Sequence, residues 1–200
     1  NRSKIVYMSL LIGLLVPGVI LYLRRITNNR IISKVDISKQ TQVPILGEIG
    51  HYDDMHAIAV KKNSKSVLAE QFRGIRTNLQ FVLTPNKNNT LLLTSSMSGE
   101  GKSFVAINLA STFALAGKKV ALMELDLRKP KISQNLGIDN SVGFSSYAIE
   151  RAQYNEIIKP SGIVDELYVI PSGPIPPNPA ELIMLPKVEE LFEKLKNDFD

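Results

Sequence analysis

Residues 91 to 110 read LLLTSSMSGEGKSFVAINLA: a leucine run, a loop of small residues, Gly-Lys-Ser, then a second apolar stretch. No other feature narrows the folds open to this chain so much. The run TLLLT (90–94) suits a strand buried on both faces, Ser103 to Ala116 suits a helix closed by Gly117, and KVALMELD (119–126) suits a second strand. A strand, a crossover helix and a parallel strand make a β-α-β unit, which implies an α/β fold. ELYVIPSG (166–173) predicts a third strand. Pro179 is placed to open a helix over 180–185, and a further helix is predicted from about Lys187 to Asn197.

The loop between the first strand and helix has the chemistry of a phosphate cradle. Backbone N–H groups must turn inward around phosphate oxygens, and a Cβ obstructs some of those turns, so Gly99 and Gly101 supply the needed freedom. Lys102 offers a point charge to the β- and γ-phosphates. Ser103 offers a hydroxyl to Mg²⁺ at a helix N-terminus whose dipole also favours an anion. The full pattern G-x-x-x-x-G-K-[ST] is not met, because Ser96 stands where the first glycine belongs. The flanking strand and helix give the shorter signal its meaning.

The second strand carries Glu124 and Asp126 near its C-terminal end, two residues apart and so expected on one face. Carboxylates leaving a buried apolar strand are costly without a metal or a hydrogen-bond network, and that end of an open α/β sheet is the ligand crevice. Asp126 is therefore expected to serve as a metal-shell carboxylate and hydroxyl activator.

Upstream, SVLAEQFRGIRTNLQFVL (66–83) spaces Leu68, Phe72, Ile75, Leu79 and Val82 as one helical face, ended by Pro85 and the NKNN run. Glu70, Arg73 and Arg76 form a charged strip on this helix; composition alone makes it a solvated face. From Ile5 to Leu23 there are 19 residues without a charge, nearly the length that spans a hydrocarbon core of about 30 Å. Arg24 and Arg25 follow it as a stop-transfer flank, which puts their side in the cytoplasm; a buried core helix and a signal peptide are the alternatives. Between Arg24 and Lys65 lie eight Lys or Arg against four Asp or Glu. Beside an apolar segment, this excess points to a membrane surface and not to nucleic acid. His51 and His56, with Asp53 and Asp54 between them, are poorly spaced for a shared metal, and the absence of cysteine excludes thiolate-bound zinc or iron–sulfur clusters within these residues.

TSSMSGEGKS (94–103), followed after a helix by ALMELDLRKP (121–130), resembles the Walker A and Walker A′ motifs of the bacterial tyrosine kinases (BY-kinases), the polysaccharide co-polymerase kinases of capsule and exopolysaccharide assembly. AEQFRGIRTNLQF (69–81) resembles that family's E-x-x-R-x-x-R oligomerisation helix. VPILGEI (43–49) resembles its segment between membrane helix and kinase domain, and PSGPIPPNPAELI (171–183) its Pro-rich stretch before a helix. The resemblance implies a P-loop NTPase fold of the MinD/ParA type, a parallel sheet with flanking helices, preceded here by a transmembrane helix. It implies ATP, Mg²⁺ and transfer of the γ-phosphoryl group to tyrosines of neighbouring copies. Ser98, Gly99, Glu100, Gly101, Lys102 and Ser103 would bind the nucleotide, Ser103 and Asp126 the metal, with Lys102, Asp126 and Glu124 as catalytic candidates. Glu70 of one subunit would meet Arg73 and Arg76 of the next in a ring. The polysaccharide polymerisation and export machinery and the bacterial plasma membrane would be the other partners, with the kinase domain in the cytoplasm. The implied division is a membrane helix and flanks (1–25), a juxtamembrane linker (26–65) and a kinase domain (66–200).

Three departures stand out. Ser98 replaces a usual proline, and Glu124 replaces the usual first aspartate of Walker A′. The Walker B strand and a C-terminal tyrosine cluster are not found: EKLKNDFD (193–200) is what normally precedes that strand, and Tyr7, Tyr22, Tyr52, Tyr147, Tyr154 and Tyr168 are scattered. The expectation is a chain truncated at both ends and inactive by itself. A membrane-tethered P-loop ATPase switch is one alternative, though Ser96 and Met97 stand where such switches carry a second lysine. The other is a chain-length scaffold with a vestigial nucleotide site, toward which Glu124 leans.

Overall fold

The computed structural model describes residues 2–27, 31, 33–52, 58–84 and 88–200. It divides into two compact units, Asn1–Ile45 and Leu46–Asp200. His56, Asp53 and Asp54, along with Pro85 and the Asn28-Asn29 pair, lie outside the described residues.

The first unit holds helix α1 (Arg2–Ile26) and the short α2 (Lys34–Ser38). The stretch Arg2–Arg24 of α1 is long and apolar enough to cross a bilayer, and none of it is buried within the protein. Leaving such a run in water would forgo about 1.5–3 kcal/mol for every large apolar side chain, which lipid contact recovers. Pro17 lies inside this helix, as bilayer helices tolerate.

The second unit opens with residues 46–52 and 59–60, which contribute to the apolar cluster of α3 (Val67–Gln80). Leu46, Ile49 and Tyr52 pack on the cluster of Leu68, Ala69, Phe72, Ile75 and Leu79, in which Val60 is fully buried. Ser66 starts α3 by accepting the Ala69 N–H at 3.2 Å. Four of the five apolar positions spaced for this helix are on its buried face; Val82 instead lies beyond the helix end and is exposed, because Phe81 already forms the C-cap. The next helix, α4 (Lys102–Ala114), sends Leu109 toward α3 and sends Ala106, Ile107, Ala110 and Ala114 toward the sheet. A helix buried on two sides needs no single apolar stripe, and α4 is apolar nearly all round. Its Asn108, fully buried, accepts the Ala59 and Val60 N–H groups at 2.7 and 2.9 Å and so fastens the entering segment to the helix.

The sheet has the order β1-β3-β2, from β1 (Val120–Met123), β2 (Lys159–Pro160) and β3 (Leu167–Ile170). β1 and β3 are parallel, with Val120 opposite Leu167 and Met123 opposite Ile170. β2 runs antiparallel to β3, so the sheet is mixed where a parallel one is expected. The connection from Pro160 to Leu167 is too short for a parallel crossover, and Pro160, which lacks an N–H, is tolerated on an edge strand. Alternation sorts β3 between two faces: Leu167 and Val169 join the α4 cluster, while Ile170 joins a cluster built from α6 (Phe144–Ala148), α8 (Pro179–Ile183) and α9 (Pro186–Asp198). Pro179 and Pro186 each open their helix at the first turn. Two further short helices, α5 (Ile132–Leu136) and α7 (Tyr154–Ile157), complete the unit.

TLLLT joins no ladder, contrary to the expected strand; Leu91 and Leu92 are 44% and 80% exposed. The reason lies in Asp200. Its N–H donates to the Lys119 carbonyl at 2.9 Å and its carbonyl accepts from the Asn89 N–H at 2.8 Å. Asp200 thus stands between the residues that lead into TLLLT and into β1, and bonds to both.

The end of β3 is locked to α6. Phe144 and Ser145 donate their N–H groups to the carbonyls of Pro171 and Ser172 at 2.7 and 2.9 Å. A Cβ on Gly143 would stand 2.3 Å from the Pro171 oxygen and 2.4 Å from the Gly173 nitrogen. Both obstacles are backbone and cannot rotate aside. Gly143→Ala is expected to cost about 1–3 kcal/mol, read as a lower urea midpoint at unchanged slope.

Candidate functional site

The loop leading into α4 turns on two glycines in the left-handed region, Gly99 at φ +95° and Gly101 at φ +94°, where a side chain would be strained. No atom lies within 4 Å of the position a Cβ would take at either. Gly101 is the N-cap of α4, and Lys102 and Ser103 fill its first turn. Among the described residues, the N–H groups of Gly101, Lys102 and Ser103 donate to no acceptor within the chain. The head of α4 therefore presents unpaired donors and the positive end of its dipole, which is the arrangement that binds a phosphate.

Lys102 at that position would be unfavourable next to the helix dipole if left alone. Its Nζ donates to Asp126 Oδ2 at 2.9 Å, with both side chains about one-third exposed (33% and 34%). Asp126 Oδ1 accepts the Lys129 N–H at 3.1 Å. Burial pushes the Asp126 carboxyl up, but the hydrogen bond and charge of Lys102 and the N–H groups of Lys129 and Arg128 outweigh it, leaving Asp126 below the usual carboxylate range. A carboxyl lowered on folding contributes stability that is present at neutral pH and disappears as acid protonates the folded carboxylate.

Glu124 goes elsewhere. Pairing with β3 reaches Glu124, whose N–H donates to the Ile170 carbonyl at 3.0 Å, and is not continued to Asp126, so the two carboxylates are not held to one strand face. Glu124 is 2% exposed, and its Oε1 accepts the Lys131 and Ile132 N–H groups at 2.5 and 2.6 Å. Its Oε2 accepts the Ser133 N–H at 3.3 Å and the Ser133 hydroxyl at 2.5 Å. The carboxylate thus holds the start of α5, while Asp126 faces Lys102. The structure brings Lys102 and Asp126 together and does not bring Glu124 to them.

Glu100 also has a partner that sequence reasoning did not provide. Its Oε2 accepts the N–H groups of Ser96 and Met97 at 2.8 and 3.1 Å. Ser98 sits between in the same turn. Nothing in the spacing of these residues signals such a bond, since it depends on the loop's left-handed corners.

The charged strip of α3 is engaged within the chain. Arg73 pairs with Glu70 and also donates to the Ser64 carbonyl at 2.7 Å. Arg76 reaches across to α4 and donates to the Thr112 carbonyl at 3.0 Å. Arg76 therefore lies at the seam between α3 and α4, whereas Glu70 stays exposed.

The donors suit a nucleotide with a divalent ion. Unpaired amides, a lysine and open glycine corners match phosphate. One carboxylate and one hydroxyl, Asp126 and Ser103, match Mg²⁺, which keeps several waters and takes its remaining ligands from substrate phosphates. Among the described residues no group of three or more His, Cys, Asp or Glu could hold a metal unaided.

Comparison with known proteins agrees with this geometry. The family model described as ParA, NUBPL iron-transfer P-loop NTPase, matches residues 86–195. The chain is 39% identical over 141 residues to the putative tyrosine-protein kinase CapB of Staphylococcus aureus, covering 70% of this chain and 61% of that protein. It is 42% identical over 127 residues to the tyrosine-protein kinase YwqD of Bacillus subtilis (strain 168), covering 64% of this chain and 53% of the relative. The chain thus spans between half and two-thirds of these relatives' lengths. Among solved structures, the chimerical protein CapA2B2 superposes with a TM-score of 0.76 at 35% identity, over 84% of this chain and 72% of that one.

Proposed function

We propose, since this chain belongs to the ParA family of P-loop NTPases, that it binds ATP with Mg²⁺ and transfers the γ-phosphoryl group to protein tyrosine in capsule or exopolysaccharide assembly. The observation that carries the nucleotide half is the Lys102–Asp126 pair at the head of α4, beside amides with no acceptor among the described residues. The similarity to tyrosine-protein kinases supports tyrosine as acceptor.

Phosphoryl transfer depends mainly on positioning and charge stabilisation. The amides of Gly101, Lys102 and Ser103 would orient the phosphate chain, and Lys102 would leave Asp126 to meet it. Ser103 and Asp126 would hold Mg²⁺, which neutralises charge on the phosphate oxygens. Asp126, freed from Lys102 and kept ionised, would then be available to accept the proton of the incoming hydroxyl. Tyr147 is 2% exposed, so as folded its hydroxyl is not available as an acceptor.

The helix α1 would anchor the unit at the bacterial plasma membrane with the Arg24 side in the cytoplasm, near the polysaccharide export machinery. Copies would join in a ring through α3, and doing so would require exchanging the Glu70–Arg73 pair within one chain for the same pair between chains.

The test uses the membrane-reconstituted protein with γ-labelled ATP and Mg²⁺, beside Lys102→Met. Phosphotyrosine that vanishes in the variant is the expected result. ATP consumed without phosphotyrosine would replace the kinase by an ATPase switch, and neither signal would leave a scaffold.

A further inference from the structure

We propose that Glu100 is a positioning residue that clasps the entry of the phosphate loop and thereby sets its affinity for nucleotide; this rests on the reading of the loop as a nucleotide site. Ser96 occupies the place where the sequence pattern asks for glycine, and the chain there needs another means of holding its turn. One oxygen of Glu100 supplies it, accepting two successive N–H groups, Ser96 at 2.8 Å and Met97 at 3.1 Å. Successive amides converging on one anion form a nest, and here the anion belongs to the loop itself. The bond closes a short ring across Met97, Ser98 and Gly99. It fixes the path of the chain into Gly101, Lys102 and Ser103.

A carboxylate inside a phosphate loop could instead be a plug that nucleotide must displace. The geometry favours the clasp. The amides Glu100 takes are those of the loop's entry, whereas the amides at the head of α4, where the dipole and Lys102 converge, make no bond among the described residues. Lys102 is paired with Asp126 and not with Glu100. The carboxylate therefore shapes the loop without taking the donors that phosphate needs. Its charge is a cost of this arrangement, since it stands in the same loop as a bound polyanion. A neutral acceptor of the same reach would keep the clasp and drop the repulsion.

Two variants of the full protein in detergent separate clasp from plug. Nucleotide affinity would be measured by titration with a fluorescent ATP analogue and Mg²⁺. Amide exchange over residues 95–101 would be followed without nucleotide. Glu100→Ala is expected to weaken binding about tenfold, the equivalent of losing a charge-assisted hydrogen bond, and to speed exchange at Ser96 and Met97. Glu100→Gln is expected to keep slow exchange and bind at least as tightly as the parent. Tighter binding by Glu100→Ala would establish the plug and overturn the clasp. Equal affinity in all three proteins would also overturn it. A parent protein that binds no nucleotide would refute the site reading itself, and unchanged exchange in Glu100→Ala would refute the clasp independently of any ligand.

Discussion

Lys102→Met is expected to lower phosphoryl transfer by about 100- to 1,000-fold while moving stability by less than about 1 kcal/mol. The two magnitudes differ because the Lys102–Asp126 pair is one-third exposed on both sides, where water competes for the charges. Removing a cation from the first turn of α4 also relieves an unfavourable contact with the helix dipole, which offsets part of the lost pair. In the presence of a polyphosphate the balance changes, since a fixed ammonium aimed at developing charge acts where solvent is excluded. Asp126→Asn should likewise cost activity at small stability cost. The double variant should lose less than the sum of the two, because each single change disables the same centre. Denaturation curves and initial rates on the three variants check this. A Lys102→Met protein with near-parental turnover would mean that the phosphate is held elsewhere.

Glu124→Ala is expected to behave in the opposite way, destabilising the chain by about 3–5 kcal/mol through the buried donors it leaves unpaired. Its buried carboxylate accepts three backbone N–H groups and a hydroxyl at the start of α5, of which those of Ile132 and Ser133 are on buried residues. Without it the donors of Ile132 and Ser133 are buried unpaired, and each costs about 1–3 kcal/mol before relaxation. Glutamine should rescue only half of the loss. Its oxygen can replace Oε1 toward Lys131 and Ile132, but its NH₂ would face the Ser133 N–H, donor against donor. Activity would fall with stability, because Asp126 lies two residues from the released anchor. Thermal unfolding followed beside activity separates the cases. A Glu124→Ala protein that is inactive yet as stable as the parent would make Glu124 a catalytic carboxylate and not an anchor.

Local chemistry was sufficient for a good part of this protein. Nineteen uncharged residues require lipid or a core, and α1 is long and apolar enough for the former. Gly-Lys-Ser after a small-residue loop dictates a helix start, and α4 begins at Lys102. Prolines at 179 and 186 and the apolar spacing of α3 fix helix ends and faces by short-range sterics and periodicity.

What the sequence could not determine were the pairings, because these depend on groups far apart in the chain. TLLLT is a strand by composition, yet a strand exists only through a neighbour, and Asp200 stands between Asn89 and Lys119, the residues that lead into TLLLT and β1. Glu124 and Asp126 are alike in sequence, two residues apart on an apolar run. Only the fold sends one to the amides of α5 and the other to Lys102, since the strand pairing that would have aligned them ends at Glu124 and does not reach Asp126. Composition made Glu70, Arg73 and Arg76 a solvated face, whereas α4 passes close enough for Thr112 to accept from Arg76. A side chain's type is written locally, but its partner is chosen by which backbone donors and acceptors the packed elements leave unpaired nearby.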